Sequence, residues 1–211
     1  MIGSPEVFAF DITIHEEYTR GDSCLWVNAR VFVNGKCVSE EFPSRDYWLT
    51  EQVRNLEDAL DPLRWDRNYT LPAEVMALDG TQILQYIYDK TFVWRDDDDW
   101  PDPRISAMVT GCTMTNSSVP IEDLIIVVLP VTAGYRIIAS RNIPHGTKDP
   151  QEYFKAAVMR WPHEVEEVVV PRHFFHDMYA LLTRWVDEEH AKRGLPVGSH
   201  ARAFQPEIPE A

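Results

Sequence analysis

Four consecutive carboxylates, Asp96, Asp97, Asp98 and Asp99, stand between Trp94 and Trp100, and Asp102 follows just beyond Pro101. Like charges at contact separation repel by about 1 kcal/mol even in water. Fold stability therefore gives no reason to concentrate them. Disordered acidic segments are poor in aromatics, yet here tryptophans frame the run. Two chemistries suit such a tip: oxygen ligation of a hard cation, or contact with a basic partner surface. Ligation is the weaker reading, because consecutive Asp side chains diverge and no EF-hand spacing or glycine pivot accompanies them. A plain solvated loop is the bland alternative. Tryptophan is enriched among interface hot spots, and charge steering speeds encounter with a cationic partner. Trp94, Asp96, Asp97, Asp98, Asp99, Trp100 and Asp102 are therefore the expected partner-binding residues.

A second constellation is His173 and His176, three residues apart, with Asp177 and His163 close in sequence. This spacing can bring two imidazoles to one metal ion, which keeps a small metal-dependent hydrolase open as the alternative function. No HExxH pattern supports it: His15-Glu16-Glu17 is followed by Tyr18 and Thr19. Near the start of a helix such histidines more often lie exposed or pair with carboxylates. Cys112 sits in Thr-Gly-Cys-Thr without a positioned base and reads as a small core residue. Gly-x-Ser-x-Gly, GxGxxG and GxxxxGKS motifs are all missing from the sequence, so neither a nucleophile elbow nor a cofactor is expected. Arg64-Trp65-Asp66-Arg67 and Arg160-Trp161 mix cations with aromatics. Their isolation in a negative background favours roles inside the fold over nucleic-acid stacking.

The background is strongly acidic: 34 Asp and Glu against 20 Lys and Arg give a net charge of −14 over 211 residues. That sign disfavours nucleic acid and anionic membranes and favours basic protein partners. Three cysteines, an odd number, make no disulfide framework, and buried thiols in a cytoplasmic protein are the expectation. The first residues lack a basic segment and an apolar run of leader length.

The elements that must position these residues are legible in part. Asn34-Gly35 marks a type I′ hairpin. The register it sets places Val33 opposite Lys36, Val31 opposite Val38, Ala29 opposite Glu40 and Val27 opposite Phe42. Leu25, Val27, Ala29, Val31, Val33, Val38 and Phe42 then share a core face. Trp26, Asn28, Arg30, Phe32, Cys37, Ser39 and Glu41 form a mixed face, on which Trp26 and Phe32 suggest an adaptor surface as a third reading. Residues 8–14 alternate as a strand, and 50–60 read as a helix capped by Thr50 and closed by Pro62. Residues 61–72 read as a polar loop, 81–92 as a helix, and 105–115 as β-like. A second hairpin, 124–129 with 135–139, has apolar runs long enough to be covered on both faces. A helix over 149–161 and a strand over 165–170 follow. The longest helix starts after Pro171 and ends near Arg193 at Gly194, with Phe174, Phe175, Met178, Leu181, Leu182 and Trp185 as its buried stripe. The expected class is α+β: a mostly antiparallel sheet of hairpins with packing helices. Residues 1–194 form one domain in this reading, and 195–211 a mobile tail.

The opening Met1-Ile2-Gly3-Ser4-Pro5, then Phe8-Ala9-Phe10, then Cys24-Leu25-Trp26-Val27-Asn28 resembles bacterial immunity proteins of polymorphic toxin systems, in particular the immunity protein 42 family. The likeness spans roughly the first 40 residues. Ala29 stands where that pattern has glycine, and Asn34-Gly35 comes six residues after Asn28. The resemblance implies a non-enzymatic protein that binds and neutralises a cognate toxin domain, with no catalytic residues to carry over. Nuclease toxins are basic because they hold phosphates, so an acidic inhibitor suits them.

Overall fold

The computed structural model describes residues 1–20, 25–38, 51–66, 70–91, 108, 111–114, 124–141 and 163–197. Two antiparallel sheets and a set of helices make an α+β fold, as the hairpins predict. The first sheet runs β1 (Ile2–Ser4), β2 (Phe8–Ile14), β3 (Trp26–Val33), β4 (Lys36–Cys37), with β5 (Glu51–Gln52) also on β3. Between β2 and β3 lies α1 (Glu16–Thr19). Alternation sets the register: Phe8, Phe10, Ile12 and Ile14 stand opposite Val33, Val31, Ala29 and Val27. Those side chains turn to one face, where Phe8, Val27 and Val33 are fully buried.

The β3–β4 turn forms as the dipeptide demands, with Asn34 at φ 52 and Gly35 at φ 78. Val33 pairs with Lys36, and the Val38 N–H donates to Val31 O at 2.8 Å. One pairing differs from expectation: on this edge Val27 is paired with Glu51 of β5. Phe42, its expected partner, lies outside the described residues, as do Glu40 and the expected helix over 149–161. Residues 51 and 52 are strand because β3 offers them ladder partners, so the helix starts later than its pattern suggested. It is α2 (Val53–Leu60), with Val53, Leu56 and Leu60 buried as expected.

The loop expected over 61–72 is instead helical in part. α3 (Pro62–Asp66) has proline at its first position, where no N–H is missed, and Asp61 Oδ1 accepts from the Leu63 N–H at 2.9 Å. Trp65 drives it inward: its Nε1 donates to Ala59 O at 3.0 Å, and its ring stacks on Phe175 at 5.4 Å. α4 (Ala73–Met76) follows, then α5 (Gly80–Thr91). Asp79 and Gln82 cap α5 reciprocally: Asp79 Oδ1 accepts the Gln82 N–H at 2.8 Å, and Gln82 Oε1 accepts the Asp79 N–H at 3.2 Å.

The second sheet is β6 (Leu124–Val131), β7 (Gly134–Arg141) and β8 (His163–Val170), joined in that order. Its faces feed different cores. Ile126, Val128, Tyr135, Ile137, Ala139 and Val170 join the main core with the first sheet and the last helix. Ile125, Val127, Leu129 and Ile138 meet Ile83, Leu84 and Ile87 of α5 in a second core. The two-sided burial expected of these apolar runs is therefore present. At about 1.5–3 kcal/mol for each buried aliphatic side chain, this sheet anchors the fold. The β-like stretch near 110 is not a strand where described: Gly111 and Cys112 are helical, and only Thr113 bridges, to Val127.

The last helix, α6 (Phe174–Arg193), ends at Gly194 in the left-handed conformation, φ 67. Gly194 donates to Ala191 O at 3.3 Å and Leu195 to His190 O at 2.9 Å, a Schellman closure. Its stripe departs from expectation at Leu181, which is 43% exposed, while Val186 and His190 complete the buried face. An unbroken run of apolar residues around 181 blurs which of them lies at the centre of the stripe. Among the described residues no helix is long and apolar enough to cross a membrane.

Candidate functional site

Trp94, Asp96, Asp97, Asp98, Asp99, Trp100 and Asp102 lie outside the described residues. The elements before and after them are described, and both stand on one support. α5 (Gly80–Thr91) buries Ile83, Leu84 and Ile87 against the second sheet. Cys112 buries against that same face, and Thr113 bridges to Val127 there. Arg136 fastens the region by donating to Leu78 O at 2.9 Å and to Glu167 Oε2 at 2.7 Å. The acidic run thus follows the C-terminal end of α5 in sequence, the end that carries the negative pole of the helix dipole.

His173, the N-cap of α6, and His176 in its first turn do not converge. His173 Nε2 lies 3.8 Å from Asp177 Oδ2, and His176 Nε2 lies 3.7 Å from Asp66 Oδ2 of α3. All four side chains are substantially exposed. His163 is elsewhere, at the start of β8 opposite Arg141. Among the described residues no three His, Cys, Asp or Glu side chains are grouped to hold a metal ion. Asp66 instead ties elements together, because its Oδ1 accepts from the Tyr135 hydroxyl at 2.7 Å. Burial, reinforced by that carboxylate, pushes the Tyr135 hydroxyl up to about 12.

Neither cysteine described offers a nucleophile. Cys37 and Cys112 are both buried, and burial pushes the Cys112 thiol up to about 12, far from thiolate character. The Arg64–Trp65 pair serves the fold. Arg64 lies 4.9 Å over the Trp65 ring and donates to Thr113 O. Beside it, Arg64, Trp65, Gly111, Val128, Pro130 and Tyr135 line a crevice too tight to admit a water molecule, and so too tight for a small-molecule ligand.

The mixed face of the first sheet is partly covered, as expected. Ala9 and Cys37 are buried there, Phe32 and Trp26 are half-buried, and Arg30 is exposed with an ion pair to Asp11. At the Trp26 end the structure adds residues that sequence reasoning missed. The His15 ring stacks on Tyr18 at 4.1 Å and 15°, and Tyr18 meets Trp26 edge-on at 5.6 Å and 73°. Tyr18 is 47% exposed. No local pattern announces this group, because Tyr18 and Trp26 are eight positions apart and only the β2–β3 connection brings them together.

No protein-family model and no curated protein matches the sequence. Among solved structures the chain is similar to the crystal structure of CdiI from Burkholderia dolosa AUO158, with 17% sequence identity and a TM-score of 0.52. The likeness covers 87% of this chain and 98% of that one, so the two share an overall fold.

Proposed function

We propose that the chain is an immunity protein that binds and neutralises a cognate bacterial toxin, acting in the cytoplasm as a non-enzymatic inhibitor. The observation that carries this reading is the fold shared with CdiI, a contact-dependent inhibition immunity protein, over 98% of that chain. The net charge of −14 adds to it, since a basic toxin domain is the partner such a surface attracts. The exposed, separated histidines and the raised thiol give catalysis little to work with among the described residues. The finer assignment to the immunity protein 42 family rests on the short N-terminal motifs alone.

Within this reading Trp94, Asp96, Asp97, Asp98, Asp99, Trp100 and Asp102 contact a basic toxin surface, carboxylates standing in for substrate phosphates when the toxin is a nuclease. The test is co-expression with the variable C-terminal domain of the secreted protein encoded immediately upstream. Restored growth of toxin-producing cells and a stoichiometric complex are expected, and a metabolic operon upstream would sink the reading. Asp97→Ala with Asp98→Ala should weaken the complex and flatten its salt dependence. Unchanged affinity and salt slope would move the interface away from the acidic run.

A further inference from the structure

α1 is a single helical turn that places none of its side chains in either apolar core and buries only Thr19. A helix so short is unstable by itself in water, yet this one is fixed from several sides. The His15 N–H donates to Trp26 O at 2.8 Å. Thr19 Oγ1 accepts from the Trp26 N–H at 3.0 Å and donates to Trp26 O at 3.3 Å. His15 Nδ1 caps the turn by accepting the Tyr18 N–H at 3.3 Å. Arg193, at the end of α6, pairs with Glu16 at 2.7 Å. All this ordering holds a half-exposed tyrosine rigidly in water, where its ring contributes little to folding.

We propose that His15, Tyr18 and Trp26 form a docking ledge for an arginine-bearing segment of a protein partner. The occupant follows from complementarity. Guanidinium groups stack flat on aromatic faces and pair with carboxylates in two-point geometry, which the more strongly hydrated lysine ammonium does less well. The ledge supplies the rings, and Glu17, exposed beside Tyr18, supplies the carboxylate. The net charge of −14 draws cations toward the molecule as a whole. Because the rings are already stacked before binding, little side-chain freedom is lost on docking. The identity of the partner as a toxin rests on the function proposed above; the preference for arginine does not.

The experiment uses the full chain and two probes, an octa-arginine and an octa-lysine peptide, followed by amide and indole NMR at low salt. Octa-arginine should shift the Tyr18 amide and the Trp26 indole N–H, and octa-lysine should shift them less. Tyr18→Ala and Glu17→Gln should each weaken arginine binding at the ledge about threefold, as an exposed cation–π or ion-pair contact implies, whereas Tyr18→Phe should retain it. Silent Tyr18 and Trp26 signals, or an equal response to both peptides that survives Tyr18→Ala, would overturn the ledge. With the upstream toxin domain as probe, Tyr18→Ala should lower affinity independently of Asp97→Ala. A wild-type chain that binds arginine at the ledge but binds no toxin would sink the immunity reading and leave the ledge standing.

Discussion

β6 and β7 carry apolar side chains on both faces, whereas β2 and β3 carry them on one face and a charged, aromatic mixture on the other. The first arrangement commits both faces to packing: Ile137 and Ile138 are adjacent, point to opposite cores, and are both fully buried. The second leaves a face on which Arg30, Asp11, Tyr18 and Trp26 can vary at little cost to folding. Both sheets thus feed the main core, but β6 and β7 have no face to spare, and the first sheet keeps one on which a partner could be recognised. Each half of that division can be tested by substitution.

The largest effect is expected at Ile137→Ala, which empties part of the main core beneath the second sheet. Truncations of this kind cost about 2–5 kcal/mol, and a fall in urea midpoint corresponding to about 3 kcal/mol is expected. A loss under about 1 kcal/mol would mean that the sheet can collapse around the void and is not the rigid support inferred for it.

Gly80→Ala comes next, and its sign is diagnostic. Alanine ordinarily stabilises a helix over glycine by about 1 kcal/mol. Here a Cβ would lie 2.7 Å from Glu167 Oε2, 3.1 Å from Ile138 Cγ2 and 3.2 Å from Val165 Cγ1. Glu167 is held by Arg136, so it gives way reluctantly. Crowding of this degree costs about 1–3 kcal/mol, and net destabilisation of about 1 kcal/mol is expected. A raised melting temperature would show that α5 rests loosely on the second sheet.

The same core responds to alkali. Burial holds the Cys112 thiol at about 12, against an ordinary value of 9.0. The folded chain therefore keeps a proton that the unfolded chain releases. The stability this confers is complete below pH 9.0 and is lost as pH rises from there toward about 12, by up to about 1.4 kcal/mol per pH unit. Between pH 9 and 10.5 the urea midpoint of the wild type should fall further than that of Cys112→Ala. Equal slopes would place Cys112 in water-accessible surroundings.

The way the sequence encodes these regions follows the same division. The Asn34-Gly35 hairpin, the second hairpin and α6 are legible because their signals are local: a turn dipeptide, two apolar runs and a helical stripe closed by Gly194. β5 is not, because Glu51 and Gln52 are strand only through pairing with Val27 and Trp26, more than twenty residues away in sequence. α3 hides because its cause is the burial of Trp65 on Phe175, a contact across about half the length of the chain. The acidic run was conspicuous as composition, and the elements on either side of it share a support that only the fold discloses. The aromatic ledge had no signature, since it arises from a hydrogen-bonded return to the backbone of Trp26.

The smallest effects are expected on the outer face of the first sheet. Arg30→Ala removes an ion pair with Asp11 whose arginine is more than half exposed, and such pairs contribute about 0–1 kcal/mol. Tyr18→Ala removes a ring that belongs to neither core. Both variants should unfold within about 0.5 kcal/mol of the wild type, the usual range for surface positions. They should then part company in binding, with Tyr18→Ala losing arginine-peptide affinity and Arg30→Ala keeping it. A substantial loss of stability in Tyr18→Ala would make the ring a strut of the β2–β3 connection, and the division between a packing sheet and a recognition sheet would fail at that point.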